Sequence, residues 1–225
     1  MKLAPLHTCL VLGAMAATAQ DIQSSPFQLV IQSVQDETLN GHRITACHIG
    51  GAIDSMCLAE ADGATFFSNT SQGLLSPLEG YEPASVLVWN FAGASRSISK
   101  PMSFYHDPST NVAMPLFHAG YASRQQVTFD KAGRLAIISH MDDSKHPPAF
   151  KAKALQNWFV CKNYENTSKR MSLAWVVGRG DVSPQNPTCV KVRVYRKYVS
   201  KGLKRQKQGR WKKKSSRGES KLRQS

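Results

Sequence analysis

The chain has 225 residues, 41% apolar and 20% charged, with a formal net charge of +14. Most of that charge is local: residues 201–225 hold 11 Lys or Arg against one Glu, net +10, whereas residues 20–200 hold 17 against 14, net +3. The near balance of the body excludes a uniformly cationic nucleic-acid surface, and beyond the N-terminal segment no apolar run reaches the roughly 20 residues that a membrane-spanning helix needs.

Residues 1–19 read as a secretory leader. Lys2 supplies the positive end and "LAPLHTCLVLGAMAA" the apolar run. Ala17-Thr18-Ala19 supplies a small-x-small cleavage site ending at Ala19. The expected destination is secreted, either extracellular or at the cell wall. The body, residues 20–200, is then expected to form one folded domain.

That body reads as all-β. "FQLVIQS" (27–33) follows Pro26, a good strand entrance. "HRITACHI" (42–49) alternates, with Ile44, Ala46 and His48 on one face and Arg43, Thr45, Cys47 and Ile49 on the other. "DSMCLAE" and "ATFFSNT" follow short turns, and then come "SVLVWNF", "MSFYHD" and "NVAMPLF". "QQVTFDKAGRLAIIS" (125–139) reads as a hairpin around Asp130-Lys131-Ala132-Gly133. "FKAKALQNW" (150–158) is the one stretch open to a helical reading, and it spans only two turns. "NWFVCKN", "MSLAWVVG" and "CVKVRVYRKYV" close the domain.

About twelve short strands result, spaced as in a closed barrel or a sandwich. Three groups (27–68, 85–129 and 133–197) favour a β-trefoil-like barrel, with a β-sandwich as the alternative. Residues 201–225 have no hydrophobic period and read as a basic disordered tail. Lys204-Arg205 within it is a dibasic pair of the kind that secretory-pathway proteases cut, so Arg205 is a candidate processing point and the tail is open to being either retained or removed.

Removing the leader leaves four cysteines, Cys47, Cys57, Cys161 and Cys189, an even count that reads as a disulfide framework. Three connectivities are open, and the clustering favours Cys47–Cys57 with Cys161–Cys189. Asn69 and Asn166 head N-x-[ST] sequons in polar stretches and are the expected glycosylation sites.

Candidate chemistry is sparse. "HMDDSKH" (140–146) places His140, Asp142, Asp143 and His146 within seven residues, the best metal-ligand set in the chain. On an extended segment, however, Asp143 points away from His140 and Asp142, and Asp-Asp-Ser is ordinary turn composition. No metal and no cofactor is expected. His106-Asp107 reads as a turn leaving a strand, and His42 and His48 as packing residues. Trp89, Trp158 and Trp175 sit in apolar runs and read as core. Arg179-Gly180-Asp181 reads as a charged turn. No G-x-S-x-G elbow, H-E-x-x-H helix or phosphate-binding loop is present, so no catalytic residue is assigned.

At "NWFVCKNY … MSLAWVVG … PQNPTCVKVRVYRKYV", with "SPFQLVIQS", "NVAMPLF" and "VTFDKAGRLAIIS", the chain resembles small secreted proteins of ascomycete fungi that carry a domain of unknown function. The resemblance covers about residues 26–199 and implies Cys161 and Cys189 as the late pair. In layout the chain is also distantly similar to fungal cell-wall proteins of the phialide-development type. The resemblance implies secretion and non-catalytic surface association. The expected function is a binding domain at the fungal cell wall, extracellular matrix or host surface. The expected partner is cell-wall polysaccharide or another extracellular polyanion, with no sequence-specific nucleic acid. The rivals are a small polysaccharide-active hydrolase and a polyanion binder acting through the tail.

Overall fold

The computed structural model describes residues 21–93, 96–120, 124–142, 146–165, 168–178 and 182–199. The leader with Ala19, the basic tail with Arg205, the Asn166 sequon, the Arg179-Gly180-Asp181 tripeptide and Asp143 lie outside the described residues.

Strands β1 (Asp21–Gln23) and β2 (Phe27–Gln32) open the described chain, followed by a 3-10 turn at Glu37–Leu39. Asp36 caps that turn by accepting the Thr38 N–H at 3.0 Å. β3 (Ile44–Gly50) and β4 (Ile53–Leu58) are joined by Gly51 and Ala52 alone, closed by the Gly50↔Ile53 pair. Both loop residues have positive φ, 55° and 60°, which a two-residue hairpin needs to match the strand twist. β5 (Phe66–Ser71), β6 (Ser85–Ala92), β7 (Ser97–Tyr105) and β8 (Val112–His118) come next.

β9 (Gln126–Phe129) and β10 (Leu135–Ser139) form the hairpin read from the sequence. Asp130 closes its turn, with Oδ1 accepting the N–H groups of Ala132 and Arg134 at 2.9 and 2.8 Å. β11 (Lys153–Leu155), β12 (Trp158–Glu165), β13 (Ser168–Val176), β14 (Val190–Lys191) and β15 (Arg193–Tyr198) complete the fold.

The fold is all-β, with fifteen strands and no α-helix among the described residues. This corrects the expected twelve. The additions are β1, β11 and the separation of β14 from β15, and all three elements are too short to show a period. Within "FKAKALQNW", the stretch open to a helical reading, Lys153–Leu155 is strand β11, because β10 offers it a backbone partner through Ile137↔Leu155 and Ser139↔Lys153.

All pairings are antiparallel and belong to one sheet, which curls into a half-barrel. Its main path runs β11-β10-β9-β6-β7-β8-β4-β13-β12-β14, and β5 joins β6 to β1 and β2. Strands from all three sequence groups pair with one another: β4 bonds to β8 through Asp54↔Phe117 and to β13 through Ser172↔Cys57. The curl comes from strands that change partner along their length. β7 pairs with β6 up to Pro101 and with β8 from Met102 onward. Proline lacks the ladder donor, so its placement at this switch leaves no N–H unpaired.

Period-2 alternation fills the interior with Phe27, Leu29 and Ile31 of β2, Phe66, Leu87, Phe117, Phe129 and Trp158. Trp158 and Trp175 are cross-strand partners with ring centroids 4.9 Å apart, and the Trp158 indole N–H donates to the Leu135 carbonyl at 3.0 Å. β12 is apolar on both faces because Phe159 and Cys161 join Val112, Ala174 and Val176 in a second cluster. Disulfides join Cys47 to Cys57 and Cys161 to Cys189, the latter on this second cluster.

Candidate functional site

The two ends of the sheet path, β11 and β14, do not pair with each other; a groove of about 440 Å³ separates them. On one side stand Ala154 and Leu155 of β11 and the following Gln156 and Asn157. The other side combines Gln32 at the end of β2 and Val34 and Gln35 after it with Lys191 and Arg193 of the last strands. The groove is therefore the seam of an incompletely closed barrel.

Its walls are held in place by side chains. The Lys191 N–H donates to Gln35 Oε1 at 3.1 Å, and the Lys191 carbonyl accepts from Ser33 Oγ at 3.2 Å. These two groups take the place of a neighbouring strand along β14. Asn157 is buried and donates to the Gly178 carbonyl at 3.1 Å. β11 has β10 as its sheet neighbour and ends the path, so its outer edge faces the groove. Val34 is 81% exposed there, an apolar side chain left in solvent. The charged residues of the lining, Lys191 and Arg193, are both cationic.

A second constellation lies at another rim of the half-barrel. Lys100 and Asp54 are both buried, with Nζ 2.5 Å from Oδ2. Lys100 also donates to the Ala52 carbonyl at 2.8 Å, and its ammonium sits 5.4 and 5.1 Å from the ring centroids of Trp89 and Phe91. The other Asp54 oxygen lies 3.5 Å from Nδ1 of His48, which is largely exposed. The three ammonium protons thus meet a carboxylate, a carbonyl and two π-faces, so the charge is satisfied in place.

Other residues singled out in the sequence fall elsewhere. His42 and His48 are both exposed, which corrects the packing assignment: His42 lies in the loop before β3, and His48 lies on β3 with its side chain outside the apolar interior. Asp107 accepts from Ser109 in a turn after β7, and these hydrogen bonds, side-chain first and backbone second, hold its carboxyl below the ordinary 3.8. Trp158 and Trp175 are core; Trp89 is half-buried over Lys100. His140 and His146 are exposed, whereas Asp142 is tied to Lys153 at 2.6 Å and to the Ala149 backbone. Among the described residues no three His, Cys, Asp or Glu side chains form a metal-holding group. Asn69 sits within β5, its Oδ1 accepting from Gln23 Nε2 at 3.1 Å.

The groove left no mark in the sequence, since residues 32–35 and 191–193 meet by long-range strand pairing and residues 154–157 reach them only through the curl. The buried ion pair did leave one. Asp54 shares strand parity with buried Met56, and Lys100 with buried Met102, so alternation alone places both charges inside.

Residues 24–198 match the model of a family described as a domain of unknown function, DUF7907, and the chain belongs to that family. No curated protein and no solved structure matches it.

Proposed function

We propose that this member of the family is a secreted, non-catalytic binding domain that acts at a fungal cell wall, in extracellular matrix or on a host surface, with the seam groove as its contact site. The groove carries this reading. It is an open concavity whose carboxamides, apolar side chains and two cations suit binding by hydrogen bond, contact and charge. The leader-like N-terminus, the two disulfides and the resemblance to secreted ascomycete proteins support the extracellular setting.

Retention of the chain on insoluble chitin, β-glucan, matrix and host-cell preparations tests it. Wild type is expected to be retained by at least one, and Val34→Asp with Leu155→Asp is expected to weaken retention at least tenfold. No retention by any of the four, or retention indifferent to the double variant, would overturn the proposal.

The tail supports a second reading, binding of anionic polymer through residues 201–225, where 11 cationic residues face a single Glu. Unchanged heparin retention after deletion of those residues would eliminate it.

A further inference from the structure

We infer that the seam groove takes an extended acidic peptide segment, which lies along β11 as an added strand. This rests on the groove being the contact site and names what enters it. Three features converge on such an occupant.

The first is a backbone edge that the described residues leave open. β11 is bonded on one side to β10 by the pairs Ile137↔Leu155, Ile138↔Ala154 and Ser139↔Lys153, and it ends the sheet path on the other. An edge strand of this kind presents N–H and C=O groups that another chain can pair with. The opposite wall does not compete for that role. At Lys191 its outward N–H and C=O are already engaged by Gln35 and Ser33. An incoming strand is therefore directed to β11 alone.

The second feature is charge. Both charged residues of the lining are cationic, and Arg193 is exposed. An acidic side chain is the complement, and a guanidinium receives a carboxylate through two parallel hydrogen bonds. The third is the apolar pair formed by exposed Val34 and half-buried Leu155. Side chains of an extended segment alternate in direction, so acidic residues aimed at Arg193 alternate with groups of the opposite face. A sugar polymer would use the charge and the carboxamides but has no amide ladder to offer β11.

The experiment is fluorescence anisotropy of the full-length mature chain with labelled eight-residue peptides. The set comprises Glu-Val repeats, Lys-Val repeats and Glu-Val repeats N-methylated at all Glu or at all Val positions. Saturable binding of the Glu-Val peptide is expected. Its loss by at least tenfold is expected in the Lys-Val peptide, in one of the two N-methylated registers, and on Arg193→Glu. N-methylation removes donors without changing charge, so it separates strand addition from simple attraction to the basic tail. Binding that survives both N-methylated registers, or that is unaffected by Arg193→Glu, would overturn the inference. If the peptides fail while retention on wall material still depends on Val34 and Leu155, the acidic-strand inference falls and the binding domain stands. If both fail, both fall.

Discussion

Lys100 and Asp54 form a buried ion pair across the curl of the sheet, 2.5 Å apart and 46 residues apart in sequence. Each is about 95% withdrawn from water, with residual exposures of 5% and 4%. Isolated burial of either charge would be costly. The pair persists because the Ala52 carbonyl and two aromatic rings complete the ammonium's surroundings.

Lys100→Met is accordingly expected to destabilise the fold by about 3–5 kcal/mol, since it strands Asp54 without its counter-ion. The double variant Lys100→Met with Asp54→Leu is expected to recover most of that loss, because no unpaired charge remains. Urea unfolding of the two single variants and the double one measures the coupling. Additive losses would show that the pair does not act as a unit.

Ala52 occupies a left-handed backbone position, φ 60°, at the tip of the β3–β4 hairpin. Such a conformation costs an L-residue about 1–2 kcal/mol, and glycine avoids it at an entropic cost of about 0.5–1 kcal/mol. Ala52→Gly is therefore expected to raise stability by up to about 1 kcal/mol while leaving the carbonyl on Lys100 in place. A lowered urea midpoint would contradict this.

The two disulfides should differ in weight. Loop-closure entropy assigns about 3.6 kcal/mol to the Cys161–Cys189 link, with a sequence separation of 28, and about 2.7 kcal/mol to Cys47–Cys57, with a separation of 10. Paired alanine substitution at Cys161 and Cys189 is expected to lower the melting temperature more than the same change at Cys47 and Cys57. The burial of Cys161 within the second apolar cluster adds to that ordering. The reverse order would show that chain entropy does not govern the difference.

Asp107 provides a pH test. Hydrogen bonds from the Ser109 hydroxyl, at 2.6 Å, and from its backbone N–H, at 2.8 Å, depress the carboxyl's pKa in the folded chain. A depressed folded value means the contribution to the turn is fully present above the unfolded pKa and disappears as pH falls through the folded one. Ser109→Ala is expected to move the Asp107 titration upward, toward the ordinary 3.8. NMR detection of the carboxyl carbon reads this directly, and an unmoved titration would remove the assigned cause.

Strand after strand was legible because burial leaves a period of two in the residues, as in Phe27-Leu29-Ile31 and Leu135-Ile137. The hairpin turn at Asp130 was legible because Asp and Gly do local work there, with the carboxylate bonding its own loop. β11 and the break between β14 and β15 were not, since segments of three and two residues carry no period, and their pairing is decided by β10 and β12. The groove was beyond reach for a related reason. Gln32 and Arg193 meet as ladder partners of β2 and β15, but Leu155 reaches them only once partner switches such as that at Pro101 have bent the sheet. His48 misled because its parity matches Ile44 and Ala46, yet β3 runs out of interior before reaching it.

The ladder between β2 and β15 couples Phe27 with Tyr198 and Gln32 with Arg193, uniting the earliest long strand with the latest. A ribosome delivers the first of these well before the second, so Leu29 and Ile31 wait with one flank unsheltered until β15 has been made. Closure of this flank therefore waits for a segment made about 160 residues later, and a chain released short of Arg193 would present a bare strand and its apolar neighbours to whatever chaperone or aggregate meets it first.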